Sequence, residues 1–490
     1  MIVRSLALLL LANCSAALIA QVQSNGSPYS AYGFGDLLQA SQVPSALMGG
    51  TGIAVSEPYS IFSNNPATFA GSRQPELGGL QRPTFEGGVR GVFLNTKTQQ
   101  GSASRSDGQC MGFSVGIPFA KGRWGLGFGI APFSDVGYAL TDKEAFDAGT
   151  VSYEYSGSGG LNRVFAGVGH VLWQQKADSL DNLGSRLVLG ANFEYYFGGI
   201  EQTRKAVYPI GQSFTSTSAY SSLVLSAPTG SFGLQYGSQL ISKATVAQNI
   251  ARRSLRRKAK QEAWRKAHPG ETQPNTDHSA REAEPWRFTL GATTGLATSF
   301  NATNTSLNTL FLRGSTGFET VIDTLPSSAT TNGSLTLPLA YGLGVSIHDQ
   351  RFLLTIEARR RDWTALKVNV EGFSLPAPLK ASMVYAFGAR YTPAKEGGFF
   401  QRMTYRMGVR YSEDYLQVKE TQLRTTSVSL GASIPLNAAQ TNSYLHIGGE
   451  IGQRGTSDVG LLQEDMVNLF IGISFTPWRY ERWFKPFQIQ

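Results

Sequence analysis

Charge is scarce in this chain. Asp, Glu, Lys and Arg make up 16% of its 490 residues, against roughly a quarter in soluble domains. Cysteine is nearly absent, with only Cys14 and Cys110. Cys14 lies in a segment that reads as a secretory signal, so the mature chain keeps Cys110 alone and an intrachain disulfide is excluded. Past the first twenty residues no apolar run approaches the roughly 18 residues of a spanning helix, and the mean hydropathy of −0.15 is too polar for a helical membrane bundle.

The inventory of chemistry is equally thin. None of the five histidines, His170, His268, His278, His348 and His446, lies at metal-binding spacing from another, and there is no thiolate cluster. Gly157-Ser158-Gly159 matches a nucleophile elbow only in part, with no strand-to-helix turn after it. No phosphate-binding loop is present. These absences point away from an enzyme, a metal or other cofactor, and local energy coupling.

Glycine and aromatics, by contrast, are abundant: 55 Gly, 28 Phe, 19 Tyr and 7 Trp. Low charge, abundant glycine and aromatics, and no apolar helix are the composition of a transmembrane β-barrel. The pattern agrees. Leu187, Leu189, Ala191, Phe193 and Tyr195 alternate with Val188, Gly190, Asn192, Glu194 and Tyr196. Met111, Phe113, Val115, Ile117 and Phe119 alternate with Gly112, Ser114, Gly116 and Pro118. Leu337, Leu339, Tyr341, Leu343 and Val345 alternate with Pro338, Ala340, Gly342 and Gly344. One face is large and apolar; the other is small and weakly charged, which suits lipid outside and a lumen inside. Such runs are about 9–14 residues long, enough to cross a bilayer at a tilt. Between 14 and 17 can be counted, weakest at 151–172, 213–240 and 305–325. An even number is the rule for bacterial barrels, and we assign an all-β, antiparallel transmembrane barrel of about 14 strands.

Residues 1–20 carry Arg4 and an apolar run ending at Ala20, as a signal peptide does. Residues 21–75 precede the barrel, which occupies 76–490. Within the leader, 46–71 holds two glycine turns, two Pro breakers and Asn65-Pro66-Ala67. No regular element survives that composition for long, which leaves a cap, a plug or a disordered leader.

The net charge of +9 is local. Residues 243–266 hold nine Lys/Arg against one Glu, a net +8. That stretch lacks Pro and Gly and should be helical, ended by His268-Pro269-Gly270 within an insertion spanning 243–284. It reads as a solvated loop helix or as a helix on anionic lipid or lipopolysaccharide. Aromatic interleaving is limited to Trp264, so nucleic acid is not its partner. The usual asymmetry of barrels places this longest insertion outside the cell and the short turn at Ala120-Lys121-Gly122 in the periplasm. The tail, 477–490, mixes Trp, Tyr, Arg and Lys, as at a membrane interface. On the inward faces, Arg390, Arg406 and Arg410 are candidate cationic donors to an acidic ligand, against the alternative of a cross-strand ladder.

Met48-Gly49-Gly50-Thr51-Gly52-Ile53-Ala54, Asn64-Asn65-Pro66-Ala67, the 27–37 segment SPYSAYGFGDL and the terminal Phe475 with Trp483-Phe484 carry a resemblance. The chain resembles the FadL-type outer-membrane transporters of hydrophobic compounds, in their Bacteroidetes-like version. The resemblance implies a Gram-negative outer-membrane location and a hatch inside the lumen. In that hatch Gly49, Gly50 and Gly52 would pack closely, and Asn65, Pro66 and Ala67 would meet the wall. It implies diffusive uptake of hydrophobic small molecules such as long-chain fatty acids, with release sideways through the wall. A similar leader occurs in the PorV-like barrels, which implies the alternative of a barrel that binds a protein partner of a secretion system.

Overall fold

A polypeptide that enters lipid must satisfy every backbone N–H and C=O internally, which strands achieve only by closing on themselves. The computed structural model shows that closure. It describes residues 26–477 except 73–78, 100, 147–148, 176–183, 210–213, most of 241–285, 328, 374–377, 394–397, 437–441 and 458–459. The signal segment and most of the C-terminal tail lie outside the described residues.

Fourteen antiparallel strands form the barrel. They are β1 (Thr84–Lys97), β2 (Ser102–Phe119), β3 (Trp124–Pro132 with Ser134–Phe146), β4 (Gly149–Gln174), β5 (Arg186–Val207), β6 (Ser216–Gln239) and β7 (Arg287–Gly295 with Thr298–Arg313). There follow β8 (Glu319–Thr324, Ala329–Leu337 and Ala340–His348), β9 (Phe352–Asp362 with Lys367–Asn369), β10 (Ala381–Tyr391), β11 (Thr404–Val418), β12 (Thr421–Pro435), β13 (Tyr444–Gly455) and β14 (Gln463–Phe475). Each strand pairs with its neighbours in sequence, and β14 returns to β1 from Phe85↔Phe475 to Lys97↔Gln463. The outward row is apolar and exposed, with Phe193 at 62%, Leu343 at 63% and Leu430 at 66%. This is the lipid-facing band of a membrane-spanning barrel.

Three features depart from the pattern in the sequence. First, the strands are longer than one crossing needs. β4 has 26 residues, about 85–90 Å at 3.3–3.4 Å per residue, so the far ends of β4–β6 extend as ribbons beyond any bilayer. The 151–172 and 213–240 runs looked weak because each is part of one long strand whose environment changes along its length. Second, the inward and outward phases switch within strands. Gly112 adopts φ +108 beside a register shift at Gly88/Val89. This bulge turns Met111 inward, against Val43, Leu47 and Phe470. Leu337 faces inward at 3% exposure while Leu339 lies outward at 45%, because Pro338 and Leu339 interrupt β8. Third, such interruptions line up. β3 breaks at Phe133, β7 at 296–297, β8 at 338–339 and β9 at Trp363–Ala365, while β4 carries Gly159 and Gly160 with positive φ. Beyond this line the inward faces become apolar.

The topology corrects the assignment of sides. The start of β1, the end of β14, the Ala120–Gly122 turn and the connection from Gln239 to Arg287 all leave the same end of the barrel, here the terminal end. The short turn and the basic insertion therefore cannot face opposite sides of a membrane. Six described positions of the insertion, Gln248, Ala251, Leu255, Ala259, Glu262 and Lys266, are helical and exposed. At the opposite end one connection is a two-residue turn. It joins β11 to β12 through Lys419-Glu420, with φ of 45° and 66°, the left-handed pair of a two-residue hairpin.

Candidate lumen site

The lumen is occupied by the chain's own N-terminal segment, residues 26–71. It holds little regular structure: one helical turn, Val43–Ala46, a two-residue strand, Asp36–Leu37, paired with Ser134 and Asp135, and two 3-10 turns, Pro28–Ala31 and Pro66–Phe69. Proline at the first position of the two 3-10 turns, and at the second of Val43–Ala46, presets the helical φ, because its missing N–H is not needed there. Asn65 caps the last of them by accepting from Ala67 N at 3.0 Å. From Val43 to Val55 every residue is buried.

Backbone this deep must find partners, and the wall supplies them. One carboxylate oxygen of Glu357 accepts from Gly52 N (2.9 Å), Ile53 N (2.6 Å) and Ala54 N (3.1 Å). Ile53 O accepts from Asn65 Nδ2 and from Gln235 Nε2, both at 2.8 Å. Ser346 Oγ donates to Ala54 O at 2.8 Å, Arg359 to Gly50 O at 2.9 Å, and Glu86 accepts from Ile61 N at 2.8 Å.

Glu57 is the one charged residue in 46–71, and it carries the strongest contact. Its two oxygens accept from Arg406 Nη1 and Nη2, both at 2.7 Å, and Arg390 Nη1 stands 3.2 Å away. Burial pushes its pKa up, but the guanidinium groups of Arg406 and Arg390 outweigh that and hold it at about 2. Charge-assisted, bidentate pairs of this kind are short and geometrically specific.

The small inward faces of the strands are the bed of this segment. A Cβ on Gly408 would lie 2.1 Å from Gly49 N, on Gly190 2.2 Å from Ala67 N, and on Gly125 1.7 Å from Phe69 O. Gly49 and Gly50 themselves adopt φ +70 and +86, the left-handed region open to glycine.

Beyond the segment, towards the far end, the lumen changes character. Phe34, Trp363 and Tyr415 meet at 5.6 and 4.8 Å in a large buried cluster with Tyr196, Leu225, Phe300 and Leu337. Residues Leu37–Gln39 cross this region and border two cavities. One, of about 170 Å3, lies towards β1, β2 and β11–β14 and is strongly charged. The other, of about 220 Å3, is lined by Arg163, Arg359 and Arg361 together with Phe133, Tyr196 and Trp363, and none of its described lining residues is acidic. Arg361 lies over the rings of Phe133 (5.7 Å) and Trp363 (5.3 Å). The buried Nε atoms of Arg359 and Arg361 have no hydrogen-bond partner. This basic, aromatic chamber adjoins the line of strand breaks. On the outer wall there, Leu126, Phe128, Val168, Phe193, Phe232 and Leu296 line an apolar groove of about 940 Å3. A polar chain crosses the wall between them. Arg163 meets Glu194 at 3.4 Å, Ser231 Oγ donates to Glu194 at 2.7 Å, and Asn192, which borders the groove, donates to Ser231 Oγ at 3.3 Å.

The structure places Arg390 and Arg406 opposite each other in register, with both side chains on Glu57. Arg410 sits apart from them, paired with Glu450. Gly49 packs on β11, Gly50 borders Arg359 and Arg410, and Gly52 borders Asn64 and Phe62. Asn65 and Pro66 lie against Gly233, and Ala67 against Gly190. Glu57, Arg361 and Trp363 escaped the sequence reading. Glu57 did carry a signal: a lone acid in an otherwise uncharged, glycine-rich stretch destined for burial needs a basic partner.

A family model described as BamG matches residues 1–284 and 273–490. No curated protein matches the sequence. Solved structures similar to the chain include the Pseudomonas putida toluene transporter TodX, at 15% identity and a TM-score of 0.49 over 90% of this chain and 98% of that one. A Pseudomonas aeruginosa FadL homologue matches at 12% and 0.48 over 91% and 100%. The Ralstonia pickettii toluene transporter TbuX matches at 14% and 0.47 over 90% and 99%.

Proposed function

The chain belongs to the BamG family, and we propose that it is an outer-membrane channel for diffusive movement of hydrophobic compounds, with the N-terminal segment as its hatch. The terminal end is then periplasmic, and so is the basic insertion. The observation that carries this reading is the basic, aromatic chamber beside the aligned strand breaks. Guanidinium groups over aromatic rings suit a ligand with an acidic head and an apolar body, such as a fatty acid. The apolar groove outside the same breaks offers such a body a path into lipid without crossing water. Arg359 and Arg361 are the head-group donors in this reading. Arg390 and Arg406 act through the segment, because Glu57 already holds them, and Arg410 is held by Glu450 of the wall.

Trp363 lines the chamber and gives a direct test. A brominated long-chain fatty acid added to the detergent-solubilised full chain should quench tryptophan fluorescence saturably, and Trp363→Phe should remove that component. Equal saturable quenching in wild type and variant would overturn the reading.

One observation favours a second reading, a sealed barrel that binds a protein partner. The segment is tied to the wall by Glu57, Glu357 and Arg359 and leaves no described stretch of 43–55 exposed. Affinity purification from native membranes would then return a stoichiometric membrane protein. Recovery of the barrel alone would count against it.

A further inference from the structure

The two cavities beside Leu37–Gln39 treat their arginines differently. In the one towards β1, β2 and β11–β14, acidic residues outnumber arginines. Carboxylates hold the guanidinium groups there: Asp36 meets Arg454 at 2.6 Å, Asp414 meets it as well, and Glu450 takes Arg410. In the basic, aromatic chamber Glu194 holds Arg163 in this way. The other two buried guanidinium groups have neutral partners. Arg359 gives Nη1 to Gln39 O at 3.1 Å and Nη2 to Gly50 O at 2.9 Å. Arg361 lies over the rings of Phe133 and Trp363. Glu357, two residues before Arg359, is occupied by the N–H groups of Gly52, Ile53 and Ala54, and Glu194 by Arg163, Tyr196 and Ser231.

A guanidinium does not lose its proton in a protein, so a buried one calls for a counter-charge. Arg359 and Arg361 both line the chamber, two residues apart on β9, which is about 7 Å along a strand. The buried Nε of each lacks a hydrogen-bond partner, and none of the described lining residues is acidic. The missing group is therefore an anion that reaches two guanidinium groups. A carboxylate has two oxygens, which a single guanidinium takes up as a bidentate pair. A phosphate monoester has three acceptor oxygens and a charge of about −1.5 to −2 at pH 7, enough for both.

We propose that the chamber takes an amphiphile headed by a phosphate monoester, held between Arg359 and Arg361, with its apolar body against Phe133, Tyr196 and Trp363. This deepens the reading of the chamber as the ligand site and rests on it. A fatty acid is then the weaker ligand of the same place.

The test is calorimetric titration of the full chain in detergent, stripped of lipid, with dodecyl phosphate, methyl dodecyl phosphate, dodecanoate and inorganic phosphate. At pH 8 dodecyl phosphate should bind saturably, about tenfold more tightly than dodecanoate or the singly charged methyl ester, as one further charge-assisted contact gives. At pH 5, below the second phosphate pKa of about 6, its advantage over the methyl ester should vanish. Arg361→Gln and Arg359→Gln should each bring the pH 8 ratio to about one. Lys97→Gln, on the outer face beside Asp465, should bind as wild type and controls for surface sites. Far-UV circular dichroism confirms that each variant is folded, and if loss of the Arg359 contacts unfolds the chain, Arg361→Gln carries the test. Equal affinity for dodecyl phosphate and dodecanoate, or a ratio unchanged in Arg361→Gln, would overturn the proposal. Inorganic phosphate binding as tightly as dodecyl phosphate would make the free anion the ligand and would also overturn it. Quenching by brominated fatty acid that Trp363→Phe removes, without tighter binding of dodecyl phosphate, would sink this proposal alone; tighter, Arg361-dependent binding of dodecyl phosphate without that quenching would sink the fatty-acid channel and leave the phosphate site standing.

Discussion

The two halves of the lumen solve one problem in different ways. Near the terminal end the wall offers glycine, and the N-terminal segment lies directly on it, backbone to backbone, locked by Glu57 and Glu357. Towards the far end the wall itself bends at aligned breaks, and large side chains such as Phe34, Trp363 and Tyr415 fill the space, leaving two cavities of opposite charge. The first half is packed to exclusion of everything else. The second retains room. Close packing belongs to a seal, and polar room beside an apolar wall belongs to a site.

The comparison breaks most readily at Glu57. Glu57→Ala leaves Arg406 buried without its carboxylate, and loss of one partner of a buried pair costs about 3–5 kcal/mol. We expect that loss in denaturant unfolding of the purified barrel, with the segment becoming protease-sensitive before the strands. Next in size is the glycine bed. Gly408→Ala would drive its Cβ into Gly49 N, and overpacking of this kind costs about 1–3 kcal/mol. Gly91→Ala, whose nearest neighbour is a Phe93 ring atom at 3.7 Å, should shift the melting temperature by less than a degree or two.

A pH titration sharpens the same contrast. Glu57 has a folded pKa lowered from 4.5 to about 2. A lowered pKa means that the folded state holds its proton less tightly than the unfolded chain. The stabilisation is therefore complete above about 4.5, falls as the pH drops below that, and is gone below about 2. Protease release of the segment should be flat from pH 8 to 5 and rise below pH 4; in Glu57→Gln it should be high throughout. A further test belongs to the far half. Trp363→Phe conserves most of the packing volume and should cost under about 1.5 kcal/mol, while removing the quenching by brominated fatty acid.

The barrel was legible because lipid and lumen impose opposite demands on alternate residues, and β5 shows it: Phe193 and Tyr195 outside, Glu194 and Tyr196 inside. Strand length was not legible, because β4 keeps strand geometry past the membrane where nothing enforces a lipid-facing row. Phase was lost at Gly112 and Pro338, where one residue out of step exchanges the faces. The sides were misjudged because loop length was taken as a guide, whereas chain parity fixes the insertion to the terminal end. Within the lumen, Gly49, Gly50 and Asn65 pointed to close packing, but no local pattern links Glu57 to Arg406 across 349 residues. That pairing exists only once the barrel has closed.

Solute flux tests the central claim most directly. Liposomes carrying the full chain should admit a small sugar slowly. The chain lacking residues 46–71, with its barrel confirmed by circular dichroism, should admit it many times faster, because the glycine-lined half of the lumen is then empty. Equal swelling rates for the two would contradict the claim that this segment seals the barrel.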